Sequence, residues 1–136
     1  LRICRQNVRR CGLSNQVTCL SADAKLPPLP ALWDFDVIAC NPPYIPTADI
    51  PTLDSSVKDY EPHEALDGGE DGLDFYRRII RESTEHLLPK GYLMLEIGYD
   101  QAQAVGEWMR EAGFQRISVK KDLAGLDRVV SGVYDG

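Results

Sequence analysis

The chain has 136 residues, of which 43% are hydrophobic and 26% are charged. This length fits one domain, and the composition is that of a soluble globular protein rather than a collagen-like or disordered chain. No apolar run approaches the ~18 residues that a transmembrane helix needs. Acidic side chains outnumber basic ones by 21 to 15, and the resulting net charge of −6 disfavours binding to phosphate backbones and to anionic membranes.

The negative charge is concentrated in residues 49–74, which carry nine acidic side chains and one basic side chain, Lys58. The remainder of the chain has a net charge of +2. Two interpretations stay open for this acidic segment. It is either a solvated loop that keeps the protein in solution or a docking surface for a basic partner.

The four cysteines, at positions 4, 11, 19 and 40, form no C-x-x-C pair. Only His63 and His86 are present to complete a metal site, and the spacing is poor for zinc. We therefore predict four reduced thiols, no metal site and a cytoplasmic location.

Apolar residues at helical spacing begin the chain and predict an amphipathic helix that ends at Gly12. The apolar runs 17–20 and Phe35–Cys40 then predict two strands. Because the second run shows little alternation, we expect it to be buried on both faces. Residues 41–72 contain five prolines and predict a long loop, whose length is typical of a functional segment.

The rest of the chain predicts further helices and strands. A helical pattern spans residues 73–87, and the apolar run 92–98 predicts a buried strand. Asp100 and Gln103 have the spacing of a capping box, which would begin a helix that ends at Gly113.

Two final strands, Phe114–Lys121 and 128–134, are joined by a short connection, which is typical of antiparallel neighbours. Helices that alternate with apolar strands indicate an open sheet with helices on both faces. We therefore predict an α/β fold with an antiparallel hairpin at its C-terminal end.

Chemistry is predicted at Asn41-Pro42-Pro43-Tyr44, because this run directly follows a strand and ligands of open α/β sheets lie beyond the carboxyl ends of their strands. The proline rings stiffen the segment, so that the Asn41 side-chain oxygen and the Pro42 carbonyl are two acceptors in fixed directions. Such a pair suits a planar NH₂ group, which has two donors, and Tyr44 offers a flat wall beside it. An ordinary rigid turn is the alternative.

The run FDVIACNPPY resembles motif IV of the class I S-adenosylmethionine-dependent methyltransferases that act on amino or amide nitrogens. With DYEPHEALDGGEDGLDFYRRII, LLPKGYLMLEIGYDQ and KDLAGLDRVV, the chain is similar to the bacterial release-factor glutamine methyltransferases. The similarity begins at the helix after that family's second strand. It implies a Rossmann-like sheet that lacks the first two strands, with residues 1–136 as the C-terminal part of the catalytic domain and residues 45–72 as its long acidic loop.

The resemblance implies methyl transfer to the side-chain amide nitrogen of the glutamine in the Gly-Gly-Gln motif of class I peptide chain release factors. Asn41 and Pro42 would be the catalytic residues that hold this amide, and Pro43 and Tyr44 would shape its slot. Glu96 has no implied role beyond that of a structural or capping carboxylate.

The resemblance also implies the cofactor S-adenosylmethionine, with Asp23, Ala24 and Asn41 as its contacts, the first two beside the adenine. The glycine-rich loop that the family uses for this cofactor has no counterpart, because no G-x-G occurs in the chain. We therefore expect the isolated chain to bind S-adenosylmethionine weakly or not at all and to be inactive.

Two other functions stay open. The same acceptors could bind an exocyclic amine of an RNA or DNA base, although the acidic balance disfavours direct nucleic-acid binding. The chain could also be a truncated, non-catalytic module that binds partners through its acidic loop. In the family's strand order, the two missing strands lie between strand 17–20 and Phe35–Cys40, so the edge of the latter is left open. We predict an altered sheet or a second copy that covers this edge.

Overall fold

A computed structural model describes residues 1–21 and 33–136 of the chain. None of the helices in these two ranges has the length and apolar character needed to cross a lipid bilayer. The elements follow one another as α1 Arg2–Arg10, β1 Phe35–Cys40, a 3-10 helix Thr47–Thr52, the short helices α2 Ser55–Lys58 and α3 His63–Leu66, α4 Asp74–Ser83, β2 Leu87–Glu96, α5 Ala102–Glu111, β3 Phe114–Lys121 and β4 Asp127–Tyr134.

The strands of the described residues form one mixed sheet in the order β1-β2-β4-β3. β1 and β2 are parallel, with Val37 opposite Tyr92 and Cys40 opposite Leu95. β4 runs antiparallel to both of its neighbours, β2 and β3. The predicted α/β class and the predicted antiparallel C-terminal hairpin are therefore confirmed.

The core lies between one face of this sheet and the helices α4 and α5. Because side chains alternate along a strand, Leu93 and Leu95 of β2 face the helices and are fully buried. They join a buried cluster with apolar residues from both helices, namely Tyr76, Ile80, Val105 and Met109. On the other face, Tyr92 and Met94 are exposed. The prediction that helices cover both faces is wrong for the described residues.

The helix α1 ends where the sequence predicts but does not join the core. Cys11 is its C-cap, and Gly12 has a φ of +70°, which glycine adopts without a steric penalty. None of its residues is buried, and Ile3 is 65% exposed. The amphipathic pattern of α1 therefore meets no part of the core among the described residues, and its Cys4 Sγ lies 3.4 Å from Cys19 Sγ.

Residues 17–20 do not form the predicted strand, and Val17 and Leu20 are exposed. β1 has a neighbouring strand on one side only: β2 pairs with one of its edges, and no strand of the described residues pairs with the other. The predicted open edge of β1 is thus confirmed, but its predicted burial is wrong, since none of its six residues is buried. The missing strand at residues 17–20 and the exposure of β1 have one physical cause. A strand needs a neighbouring strand for its backbone groups and a covering layer for its side chains.

The boundary between α4 and β2 also differs from the prediction. The helix ends at Ser83, and Leu87 already belongs to β2. The β1–β2 register shifts after the Phe35–Leu87 pair, and this irregularity accommodates Pro89, because proline is tolerated at bulges.

Two further predictions of local structure are wrong. Asp100 and Gln103 form no capping box, since Gln101 is the N-cap of α5 without a capping side-chain hydrogen bond, and the Gln103 amide donates to Glu107 instead. Residues 41–72 are not a wholly irregular loop, because they contain the 3-10 helix, α2 and α3.

Candidate functional site

The four residues Asn41, Pro42, Pro43 and Tyr44 follow β1 and lie at the carboxyl end of this strand. Pro42 is buried, Pro43 and Tyr44 are half-buried, and Asn41 is exposed. This arrangement is that of a stiff support with one exposed polar side chain. All four residues line one cavity of about 280 Å³.

The acidic loop, residues 45–72, provides the other walls of this cavity through Ile45, Val57, Glu61, Ala65 and Leu66. The volume lies just below about 300 Å³, the low end of small-molecule pockets, so the cavity suits a side chain better than a whole nucleoside. The four substrate-binding residues predicted from the sequence are thus brought together, whereas these residues of the acidic loop were not predicted.

Backbone hydrogen bonds fold the end of the acidic loop back onto its beginning. The Ile45 N–H donates to the Leu66 carbonyl at 3.0 Å, and the Gly68 N–H donates to the Ile45 carbonyl at 2.9 Å. Ile45 and Asp67 form a parallel β-bridge, and the Thr47 hydroxyl donates to Asp67 Oδ1 at 2.6 Å. The loop therefore supplies a defined wall for the cavity.

The glycine-rich run 68–72 packs closely against the backbone of Tyr44. A Cβ atom at Gly68 would lie 2.8 Å from the Tyr44 Cα, and one at Gly72 would collide with the Tyr44 carbonyl. Gly72 also has a φ of +74°, a conformation that favours glycine. These glycines therefore allow two segments to approach each other and do not form a phosphate-binding loop.

A single buried amide, that of Gln101, joins both ends of the acidic loop to the turn before α5. Gln101 is 7% exposed. Its Nε2 donates to the Tyr44 carbonyl at 2.9 Å and to the Gly72 carbonyl at 3.3 Å, and its Oε1 accepts from the Gly98 N–H at 2.9 Å. Sequence reasoning missed this residue, because a lone glutamine at a helix start carries no signal for contacts 57 residues away.

The Tyr44 hydroxyl points to the end of β2. It donates to Glu96 Oε1 at 3.3 Å, while the Tyr76 hydroxyl donates to the backbone carbonyl of Glu96 at 2.7 Å. Burial raises the pKa of Tyr44, the negative charge of Glu96 raises it further, and the positive charge of Arg128 acts in the opposite direction. The phenol is therefore protonated at neutral pH.

Arg128 is fixed beside this contact by the hairpin that joins β3 and β4. Its Nη1 donates to the Ile97 carbonyl at 3.0 Å, and its Nε and Nη2 donate to Asp122 Oδ2 at 3.2 Å. Burial tends to lower the pKa of Arg128, but the hydrogen bond to Asp122 and the nearby Tyr44, Asp122 and Glu96 raise it overall.

A second cavity, of about 460 Å³, lies on the other side of Tyr44. Tyr44 and Ile45 line both cavities, so these two residues form the wall between them. The second cavity also contains Gln101, Arg128 and three acidic side chains, those of Asp49, Asp71 and Asp100.

The predicted cofactor contacts are only partly within the structure, because Asp23 and Ala24 lie outside the described residues. Asn41 is in place at the cavity. The glycine-rich run of the chain, residues 68–72, packs against Tyr44 and is therefore not available for a nucleoside cofactor. The described residues alone therefore do not fit the whole of S-adenosylmethionine.

The remaining sequence predictions concern cysteines and metals. All four cysteines are free thiols in the structure. Within residues 1–21 and 33–136, no group of three His, Cys, Asp or Glu side chains is placed to hold a metal ion. His63 lies 3.8 Å from Asp67 of the same short helical segment.

Comparison with known proteins gives clear relatives, although no family model matches the chain. Over all 136 residues the chain is 43% identical to the release factor glutamine methyltransferase of Clostridium acetobutylicum, of which it covers 48%. Over 98 residues, or 72% of the chain, it is 51% identical to the release factor glutamine methyltransferase of Geobacter sulfurreducens, of which the match covers 34%. The chain thus spans half or less of the length of these curated relatives.

Among solved structures, the chain is similar to a methyltransferase from Pyrococcus furiosus, with a TM-score of 0.60 over 97% of this chain and 55% of that one. At 21% identity this likeness concerns the fold alone, and it confirms the predicted methyltransferase fold. By its sequence, the chain is therefore similar to the release factor glutamine methyltransferases and matches half or less of their length.

Proposed function

We propose that the chain is the glutamine-binding part of a methyltransferase that transfers a methyl group from S-adenosylmethionine to a glutamine side-chain amide. The substrate would be the Gly-Gly-Gln motif of class I peptide chain release factors in the cytoplasm. The observation that carries the proposal is the exposed Asn41 at the carboxyl end of β1, on a proline-stiffened turn that lines a cavity of about 280 Å³. Residues 1–136 would be the C-terminal part of the catalytic domain.

The chemistry of the turn suits a primary amide. The side-chain oxygen of Asn41 and the carbonyl oxygen of Pro42 would accept the two hydrogens of the substrate NH₂ group. Pro43 and Tyr44 would bound the slot on the faces of the planar amide. When bound, S-adenosylmethionine would supply an activated methyl group and leave as S-adenosylhomocysteine, with the proton lost by the nitrogen passing to water, so the contribution of these residues is to orient the nitrogen.

The cofactor is proposed to contact Asp23, Ala24 and Asn41. Since the chain has no G-x-G loop, residues beyond this chain would complete the site. We therefore expect the isolated chain to lack methyltransferase activity, and calorimetric titration with S-adenosylmethionine to give no sub-micromolar binding. Sub-micromolar binding by the isolated chain would contradict this part of the proposal.

Methyl transfer is tested with a protein that carries this chain at the full length of its relatives, methyl-labelled S-adenosylmethionine and a class I release factor. We expect label in the release factor, and we expect Asn41→Ala to lower kcat/KM by roughly 100-fold, the effect of losing substrate alignment. Asn7→Ala, on the exposed helix α1, is the matched control and should leave the rate unchanged. Turnover that survives Asn41→Ala would contradict the proposed role.

The same assay separates the alternatives. Label in RNA or DNA and none in the release factor would replace the proposed substrate by a base amine. Absence of label from every substrate, with a folded protein, would favour a non-catalytic binding module.

A further inference from the structure

We propose that Glu96 is a positioning residue of the candidate site: its carboxylate holds the Tyr44 hydroxyl and thereby fixes the aromatic wall between the two cavities. The contact itself is independent of the proposed function, whereas its consequence for a glutamine substrate rests on it. Glu96 does not line the cavity at Asn41 and Pro42, so its effect on a substrate there passes through Tyr44.

The backbone of Glu96 is held rigidly. Glu96 ends β2 between Leu95 and Ile97, both of which are fully buried in the core. The parallel register that pairs Cys40 with Leu95 places Glu96 next to the start of residues 41–44, the NPPY turn. A hydrogen bond from the Tyr76 hydroxyl to the Glu96 carbonyl, at 2.7 Å, adds a third restraint. The carboxylate is therefore a fixed acceptor at the carboxyl ends of the two parallel strands.

The backbone of Tyr44 is equally restrained. Gln101 holds the Tyr44 carbonyl, and Gly68 packs against its Cα. The half-buried ring packs against the core, and the hydroxyl contact with Glu96, at 3.3 Å, anchors its far end. Because the ring separates the cavities, a turn of this side chain would widen the amide slot at the expense of the second cavity.

Titratable groups from several elements face this contact. Glu96 projects from β2, Arg128 from β4 and Tyr76 from α4, and the second cavity adds the carboxylates of Asp49, Asp71 and Asp100. Arg128 supplies the compensating positive charge that a half-buried carboxylate requires, and its salt bridge with Asp122 keeps it in place. Glu96 and Arg128 therefore act on Tyr44 with opposite signs.

The contact is tested on the chain itself by a pH titration of tyrosines labelled with ¹³C at Cζ, in which Tyr44→Phe identifies the Tyr44 signal. We expect Glu96→Gln to lower the pKa of Tyr44 and Arg128→Gln to raise it. Glu107→Gln removes the same charge from the exposed side of α5 and should leave the Tyr44 signal unchanged. If Glu96→Gln and Glu107→Gln give the same Tyr44 titration, the positioning role is overturned.

The consequence for the substrate is tested by kinetics with a Gly-Gly-Gln peptide and a full-length protein that carries this chain. Glu96→Leu should raise KM on the order of three- to tenfold, the size expected for one lost hydrogen bond, while kcat changes less. Glu96→Gln keeps an acceptor, so its KM should lie close to that of the unsubstituted protein. The double variant Glu96→Leu/Tyr44→Phe should be no worse than the poorer single variant, because the two residues act through one contact.

The outcomes distinguish this inference from the proposed function. Additive effects in the double variant, or a KM that Glu96→Leu leaves unchanged, would overturn the positioning role even if the protein methylates release factors. If the unsubstituted protein transfers no methyl group, the proposed function fails, and the tyrosine titration still decides whether Glu96 holds Tyr44.

Discussion

The N-terminal and C-terminal regions of this chain have similar apolar patterns and very different packing. Apart from Pro42 and Ile50, every buried apolar side chain of the described residues lies between Phe75 and Val130. The helix α1, residues 17–20 and β1 contribute none. The comparison teaches that a periodic pattern specifies an element, whereas burial depends on a neighbour: α4, α5 and the β2–β4–β3 sheet supply each other's neighbours, and α1 and β1 find too few among the described residues.

The two edges of the sheet differ in the same way. β3, at one edge, carries Arg116, Lys120 and Lys121, and such charges discourage pairing with another chain. β1, at the other edge, has the sequence FDVIAC and contains no basic residue. The β3 edge is therefore protected by its own side chains, and the β1 edge is not.

The sharpest test of this comparison is a matched pair of core and helix truncations. Leu95→Ala should lower the free energy of unfolding by about 2–5 kcal/mol, because the side chain is fully buried and its removal leaves a cavity. Ile3→Ala, in α1, should change it by less than about 0.5 kcal/mol. Urea unfolding of both variants measures the difference, and equal losses would show that α1 is packed in solution.

A smaller effect is expected at the boundary between the two regions. Gln101→Leu should lower the free energy of unfolding by about 1–3 kcal/mol. It leaves the carbonyls of Tyr44 and Gly72 and the Gly98 N–H without their hydrogen-bond partner. Limited proteolysis should then cut the acidic loop faster. Gln103→Leu, at an exposed position of the same helix, is the control. Identical stability of the two variants would contradict the structural role of Gln101.

The open edge predicts self-association of the isolated chain. Val37 is 51% exposed in β1. Val37→Lys should raise the dissociation constant of a dimer by roughly tenfold, or about 1.4 kcal/mol. Val119→Lys adds the same charge to the edge that is already basic and should leave the dimer intact. Light scattering over a range of concentrations measures both. A strictly monomeric unsubstituted chain with fully protected β1 amides would refute this prediction.

The smallest expected effect is a pH dependence within the packed region. Hydrogen bonds from the Leu126 N–H, and then from Arg128 and the Ala124 N–H, hold the pKa of Asp122 below its ordinary value. Its stabilisation is thus fully present above the unfolded-state pKa of about 3.9 and is lost as the pH falls through the lower folded-state value.

This pH dependence is measured from the urea midpoints of the unsubstituted chain and of Asp122→Asn at neutral and acidic pH. The difference in urea midpoint between the two proteins should become smaller as the pH falls. Asp36→Asn removes one charge from β1 and controls for the change in net charge. A difference that is constant over this pH range would contradict the prediction.

Much of the fold could be predicted because its determinants lie close together in the sequence. The antiparallel pairs β2–β4 and β3–β4 lie within the second half of the chain, and the hairpin of β3 and β4 follows from its short connection. The NPPY turn could be identified as a site because one run of four residues contains both its stiffness and its acceptors. The roles assigned to Asn41 and Pro42 remain predictions.

The parts that could not be predicted depend on contacts between distant segments. Val57 and Glu61 reach the cavity only because the acidic loop folds back, and Gln101 contributes only through carbonyl groups far away in the sequence. Residues 17–20 have the composition of a strand, yet no strand of the described residues lies beside them. The missing information is tertiary in each case.

The fastening of the acidic loop at Gln101 has a consequence for how such a protein can diversify. Because both ends of the loop are tied to one side chain, its length and composition can vary in the middle without displacement of the NPPY turn. An insertion near residue 60 would therefore change the cavity wall at Val57 and Glu61 while the turn 41–44 keeps its place.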